Sequence, residues 1–358
     1  MRRGAIIALL AVLMAGFGLG VNRYLAGNTR VDQINDRAVR PPTELPTNLD
    51  LPGTLVVAQR GRLFRLANRH FTELETSAAG QWMQPASAND GRRLVVVRRD
   101  AQSSDLYLID ADGNVVRQLT RNAARAVDQN HWAFWPRVSG DGTTIFASHD
   151  SPKNGYDVDL AIWSGPLNGK ALTHRWSSPN QFTGGDTHPA PLGGGGIIYS
   201  QYAIADGKVS SRLVMQRALT SEALGLTNPK DDCDQAALSP DGDSVAMVCS
   251  QGKQTTRLVV GRLTGRTLEN LRVVVADCLC SAPAWAPDGS GIAYVAPADS
   301  AGHFQLWWAP TSAEGGARPP QRVTNNLDID ATSAPAWLTV PPSRETSSPG
   351  AQSATPSP

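Results

Sequence analysis

A hairpin repeated along the chain constrains its fold more than any other feature. The plainest copy runs Ala282-Pro283-Ala284-Trp285-Ala286-Pro287-Asp288-Gly289 into Ile292-Ala293-Tyr294-Val295. A second runs Ala237-Leu238-Ser239-Pro240-Asp241-Gly242 into Val245-Ala246-Met247-Val248, and looser copies turn at Asp141-Gly142 and Asp90-Gly91. Each is a short apolar run, an Asp-Gly turn and a second apolar run. Proline suits the first corner, and glycine suits the left-handed position of a bulged three-residue hairpin loop. A gap of two periods between Asp141 and Asp241 is filled by Pro189-Ala190-Pro191-Leu192, where the run Gly193 to Gly196 replaces the Asp-Gly turn. Spacings from the mid-forties to the low fifties suit four strands per unit.

The second half of each unit repeats as well. Asp105-Leu106-Tyr107-Leu108, Asp159 to Trp163, Arg212 to Met215 and Gln305 to Trp308 read as third strands. Leu119-Thr120, Leu172-Thr173, Leu226-Thr227 and Val323-Thr324 close four of the units. Gly53 to Thr76 lacks the opening strand, which reappears alone as Ala334-Pro335-Ala336-Trp337-Leu338. The expected architecture is therefore an all-β six-bladed propeller over 53–340, its first blade closed by the carboxyl-terminal strand. Such a ring leaves only short, protected strand edges.

The Pro-x-Trp-x-Pro-Asp-Gly motif, followed by Ile-Ala-Tyr and a closing Leu-Thr, resembles the TolB-type (WD40-like) propeller repeat, which also occurs beside prolyl oligopeptidase-like peptidases. The resemblance covers about Gly53 to Val340 and is strongest in the fifth and sixth blades. Residues 22–52 are too short for the α/β domain that precedes the propeller in TolB, so the likeness is to the propeller alone. It implies an interaction platform.

Outside the ring, Arg2 and Arg3 precede an uncharged run from Gly4 to Val21, about long enough to span a bilayer. Residues 1–21 read as a signal anchor that leaves the rest of the chain outside the cytoplasm. The competing reading is secretion after signal cleavage, against which Tyr24 stands where a cleavage site needs a small residue. Residues 22–52, with Pro41, Pro42, Pro46 and Pro52, read as a tether, and 341–358 as a disordered Ser/Pro tail. A net charge of +1 gives no reason to expect nucleic acid. Four cysteines agree with export. With Ser239 facing Asp243, six steps outward on each strand put Cys233 opposite Cys249, leaving Cys278 with Cys280. Four cysteines nevertheless allow three connectivities. Their spacing does not fit zinc.

No Gly-x-Ser-x-Gly elbow is present, and the six histidines show no metal-ligand spacing, so no catalytic or metal residues are assigned. One constellation stands out. The loops entering the innermost strands carry Asp128, His131 and Trp132; Asp186 and His188; Asp232 and Asp234; Asp277; and Asp330. At a channel mouth these would form an electronegative ring with aromatic patches. It could take a basic peptide, a polar small molecule or a divalent cation such as calcium, though no cofactor is required. Loop aspartates also commonly cap their own turns. The expected function is a membrane-anchored scaffold that binds a cell-envelope protein, peptide or glycan and is not an enzyme. The alternative is a propeller hydrolase, lactonase- or glycosidase-like, with an acidic site at the mouth.

Overall fold

The computed structural model describes residues 51–76, 80–153, 155–252, 254–298, 303–311, 319–325 and 327–338. The anchor and the carboxyl-terminal tail, with nearly all of the tether, lie outside these. Among the described residues no helix is long and apolar enough to cross a membrane.

The architecture is a six-bladed all-β propeller; among the described residues the helical content is two single 3-10 turns, Val127–Gln129 and Pro229–Asp231. In chain order the first sheet holds β1 (Thr54–Gln59), β2 (Arg62–Ala67) and β3 (His70–Glu73). The second holds β4 (Gln81–Ser87), β5 (Arg93–Arg99), β6 (Ser104–Asp110) and β7 (Val115–Gln118). The third holds β8 (Ala133–Val138), β9 (Thr144–His149), β10 (Ala161–Pro166) and β11 (His174–Arg175). The fourth holds β12 (Thr187–Pro191), β13 (Ile197–Ala205), β14 (Lys208–Gln216) and β15 (Leu224–Gly225). The fifth holds β16 (Cys233–Leu238), β17 (Ser244–Gln251), β18 (Thr255–Thr264) and β19 (Thr267–Cys278). The sixth holds β20 (Ser281–Trp285), β21 (Gly291–Pro297), β22 (Phe304–Pro310) and β23 (Gln321–Arg322). Finally β24 (Ala336–Leu338) pairs antiparallel with β1, placing Trp337 opposite Leu55.

Apolar clusters fill the spaces between neighbouring sheets. Val95, Leu106 and Leu108 of the second blade meet Ala133, Ile145 and Ala147 of the third. Ile198, Leu213 and Met215 of the fourth meet Val245, Met247 and Val259 of the fifth. Central strands buried on both faces explain the near-continuous apolar runs in the sequence.

The turns differ from the expectation by one residue. Ser239 N–H donates to Ser244 O and Gly242 N–H to Ser239 O, so four residues form the loop. Gly242 takes the left-handed conformation at φ +78°. Asp241 Oδ1 accepts from the Ser239 hydroxyl and from Asp243 N–H, which makes this aspartate a turn fastener. The three-residue loop belongs to the glycine-run blade, where Leu192 N–H donates to Gly196 O.

The closing Leu-Thr has a structural purpose. The hydroxyls of Thr120, Thr227 and Thr324 accept from Leu106, Leu213 and Leu306 N–H at 2.9 Å, standing in for a strand that has ended. In the third blade Ser177 does this for Ile162, and Leu172-Thr173 comes too early.

Candidate functional site

Five of the six innermost strands carry a bulge just before the repeat's proline position. Gln84, Trp135, His188, Gln235 and Ala282 sit there with φ of +51°, +49°, +52°, +54° and +54°. Left-handed backbone is costly for residues with a side chain, so the packing around the channel must enforce it. The bulges also turn these residues toward their neighbours. Trp135 N–H donates to Gln84 Oε1 at 2.7 Å, and Ala282 N–H to Gln235 Oε1 at 2.6 Å. The Trp135 indole N–H reaches Thr332 O at 3.2 Å, and its ring lies 4.5 Å from that of His188. Arg137, His188, Gln235 and Thr332 line a cavity of about 10 Å³ in the channel. That is room for about one water. Burial pulls the Arg137 guanidinium down to about 10, leaving it charged at neutral pH. Burial, reinforced by Arg137, pulls His188 down to about 3, leaving it neutral.

The loops entering the innermost strands share one face with the loops joining second to third strands; the Asp-Gly turns occupy the other. On the first face the aspartates expected at the mouth each make local contacts or stand apart. Asp128 is half-buried in a 3-10 turn. Asp232 accepts from Ser211 N–H and from the Ser211 and Ser250 hydroxyls, tying adjacent blades. Asp234 accepts from the Tyr202 hydroxyl at 3.2 Å, and burial raises it to about 6. Asp277 exchanges bonds with Gln251. Asp330 caps Thr332 and Ser333. Asp186 is fully buried and neither carboxylate oxygen has an aligned partner. Burial pushes it up to about 7, only partly offset by the nearby Ser177 hydroxyl and Arg175.

The fold does bring His131 and Trp132 into a cluster. His131 Nδ1 lies 3.0 Å from Asp150 Oδ1, which also accepts from Trp132 N–H, while Lys153 Nζ lies 2.8 Å from Asp150 Oδ2. Trp132 stacks on Phe134 and sits under Arg99, 5.9 Å from the guanidinium. His149 packs 5.3 Å from His131, and burial lowers it to about 4. Sequence reasoning missed Asp150 and His149, because they end a second strand and meet His131 only through pairing in the third blade.

An apolar surface was also missed. Asp159 accepts from Phe182 N–H and Gly184 N–H, and Asn180 Nδ2 donates to Tyr202 O. These bonds tie two loops and the β13–β14 hairpin, which display Tyr156 (78% exposed), Val158, Phe182 (76%), Ile204 and Val209. Large apolar side chains gathered on one rim mark contact surfaces in soluble domains.

Fold and face together define a six-bladed propeller with a loop-built surface. Its fold is of the TolB type. It is similar to TolB from Acinetobacter baumannii, at 15% identity over 81% of this chain and 67% of that chain, TM-score 0.58. A protein described as TolB from Agrobacterium tumefaciens matches at 14% over 80% and 93%, TM-score 0.56. Hydrazine synthase of Kuenenia stuttgartiensis matches at 13% over 84% and 48%, TM-score 0.55. At these identities the likeness is one of fold. No protein-family model matches the chain, and none of the curated proteins does.

Proposed function

We propose that the chain is a binding scaffold that holds a cell-envelope protein or peptide against the face carrying Tyr156, Phe182 and Trp132. The observation that carries this reading is the Asp159 carboxylate, which holds the backbone of Phe182 in a loop that leaves its ring exposed, on the face that also exposes Tyr156, and such apolar exposure costs solvation unless a partner covers it. Two disulfides, Cys233–Cys249 and Cys278–Cys280, support an oxidising compartment. The apolar run from Gly4 to Val21 supports a single-pass anchor that keeps the ring near the membrane surface. β24 serves as the clasp of the ring.

A photo-crosslinking residue at position 182 in the membrane-bound chain tests this. It should yield a discrete adduct that is lost in Tyr156→Ser, while the same probe at Val116 gives none. Equal labelling at both positions would remove the proposal.

A further inference from the structure

We propose that His131, His149 and Asp150 form a site for one divalent cation of the zinc class. The tautomer of His149 is set by its neighbours. Asn122 Nδ2 donates to Ser104 O at 2.7 Å, which leaves Asn122 Oδ1 as an acceptor toward His149 Nε2 at 3.3 Å. Nε2 therefore carries the hydrogen, and Nδ1 presents a bare lone pair. That Nδ1 is buried and has no hydrogen-bond partner. An imidazole whose far N–H is held by an amide oxygen while its other nitrogen is open has the outer-shell arrangement of a metal-ligating histidine. An unsatisfied buried acceptor costs about 1–3 kcal/mol, which a bound cation would recover.

The other two donors are already close to coordination distance. His131 Nδ1 and Asp150 Oδ1 are 3.0 Å apart. Two ligands each about 2.0–2.1 Å from zinc lie roughly 3.0–3.4 Å apart. Ligand atoms of all three residues fall within 4.8 Å of one another, so closing the site needs a movement of roughly 1.5 Å. On binding, the proton that His131 Nδ1 shares with Asp150 leaves to solvent and the ring keeps its hydrogen on Nε2, so that it binds as neutral imidazole, through a side chain that is 27% exposed. Two imidazoles and one carboxylate favour zinc, nickel or copper over the oxygen-preferring calcium and magnesium. Lys153 holds Asp150 Oδ2, which directs Oδ1 to the cation, while its own charge lowers the affinity.

The test is zinc competition against a chromophoric chelator, using the untagged full-length chain with its disulfides formed. One equivalent should bind. His131→Gln, a half-exposed change that leaves the core intact, should weaken it at least tenfold, and His149→Ala should do the same. Asn122→Ala, which removes no ligand but frees the His149 Nε2–H, should weaken it about 10–100-fold. Lys153→Met should tighten it, and His303→Asn in the sixth blade should change nothing. Absence of zinc binding, equal affinity in His131→Gln, or tighter binding of calcium than of zinc would overturn the proposal.

Discussion

Gln235 and Ala282, one blade apart, are joined by a 2.6 Å bond from the Ala282 backbone N–H to the Gln235 side-chain oxygen. Gln84 and Trp135 repeat the arrangement between the second and third blades. Both glutamines occupy left-handed bulges, so each strained residue is also a stitch between sheets. Gln235→Leu keeps the volume and orphans the Ala282 N–H. It should cost about 1–3 kcal/mol in urea unfolding, with the far-ultraviolet spectrum unchanged. A cost below about 0.5 kcal/mol would mean that water replaces the oxygen without penalty.

Cys233 pairs with Cys249 because two single-residue offsets cancel. The turn holds one residue more than expected, and the bulge at Gln235 shifts the register back by one. Ser250 N–H donates to Asp232 O, which leaves 233/249 at the narrow, non-hydrogen-bonded position of the ladder. Replacing both cysteines with alanine should cost about 3 kcal/mol, since the bond closes a loop with a sequence separation of 16. Removing Cys278–Cys280, with a separation of 2, should cost less. Thermal unfolding of the two double variants, compared with the parent, orders them.

Gly185 and Gly184 make an internally controlled pair. Both have positive φ, +92° and +82°. A Cβ on Gly185 would overlap Leu160 N and O and lie 2.6 Å from Leu160 Cα, whereas one on Gly184 meets nothing within 4 Å. Gly184→Ala should cost about 1 kcal/mol from its backbone alone. Gly185→Ala should cost more than about 3 kcal/mol, or leave the chain insoluble, because the loop must leave β10. Similar melting temperatures for the two would contradict this.

Asp186 makes stability depend on pH. Its folded value, about 7, lies well above the ordinary carboxylate range, so the native state holds a proton that the unfolded chain releases. The penalty for ionising it is therefore absent below about pH 4, and stability falls as pH rises from there through 7. Asp186→Asn should flatten the urea-midpoint profile between pH 4 and 7 and raise stability at pH 8. What remains is the fall with rising pH from Asp234, raised to about 6, opposed by the rise from His149 and His188, lowered to about 4 and about 3. An unchanged profile would show that Asp186 is already solvated.

The repeat alone determined the number of sheets, their four-strand rhythm and the side of the ring that carries the Asp-Gly turns. These follow from local periodicity, because alternating burial and turn chemistry act over a few residues. The closing Leu-Thr was legible as a mark but not as a mechanism, since Thr120 and Leu106 are 14 residues apart. Tertiary structure decided the rest. It put Asp186 in the interior, spent Asp232 and Asp330 on clamps, joined Asn122 to His149 across 27 residues, and stretched Trp135 over 197 residues to Thr332. An aspartate in a loop reads the same in sequence whether it faces solvent, a neighbouring blade or nothing. Only the meeting of blades fixes its surroundings, and those surroundings set its charge and its use.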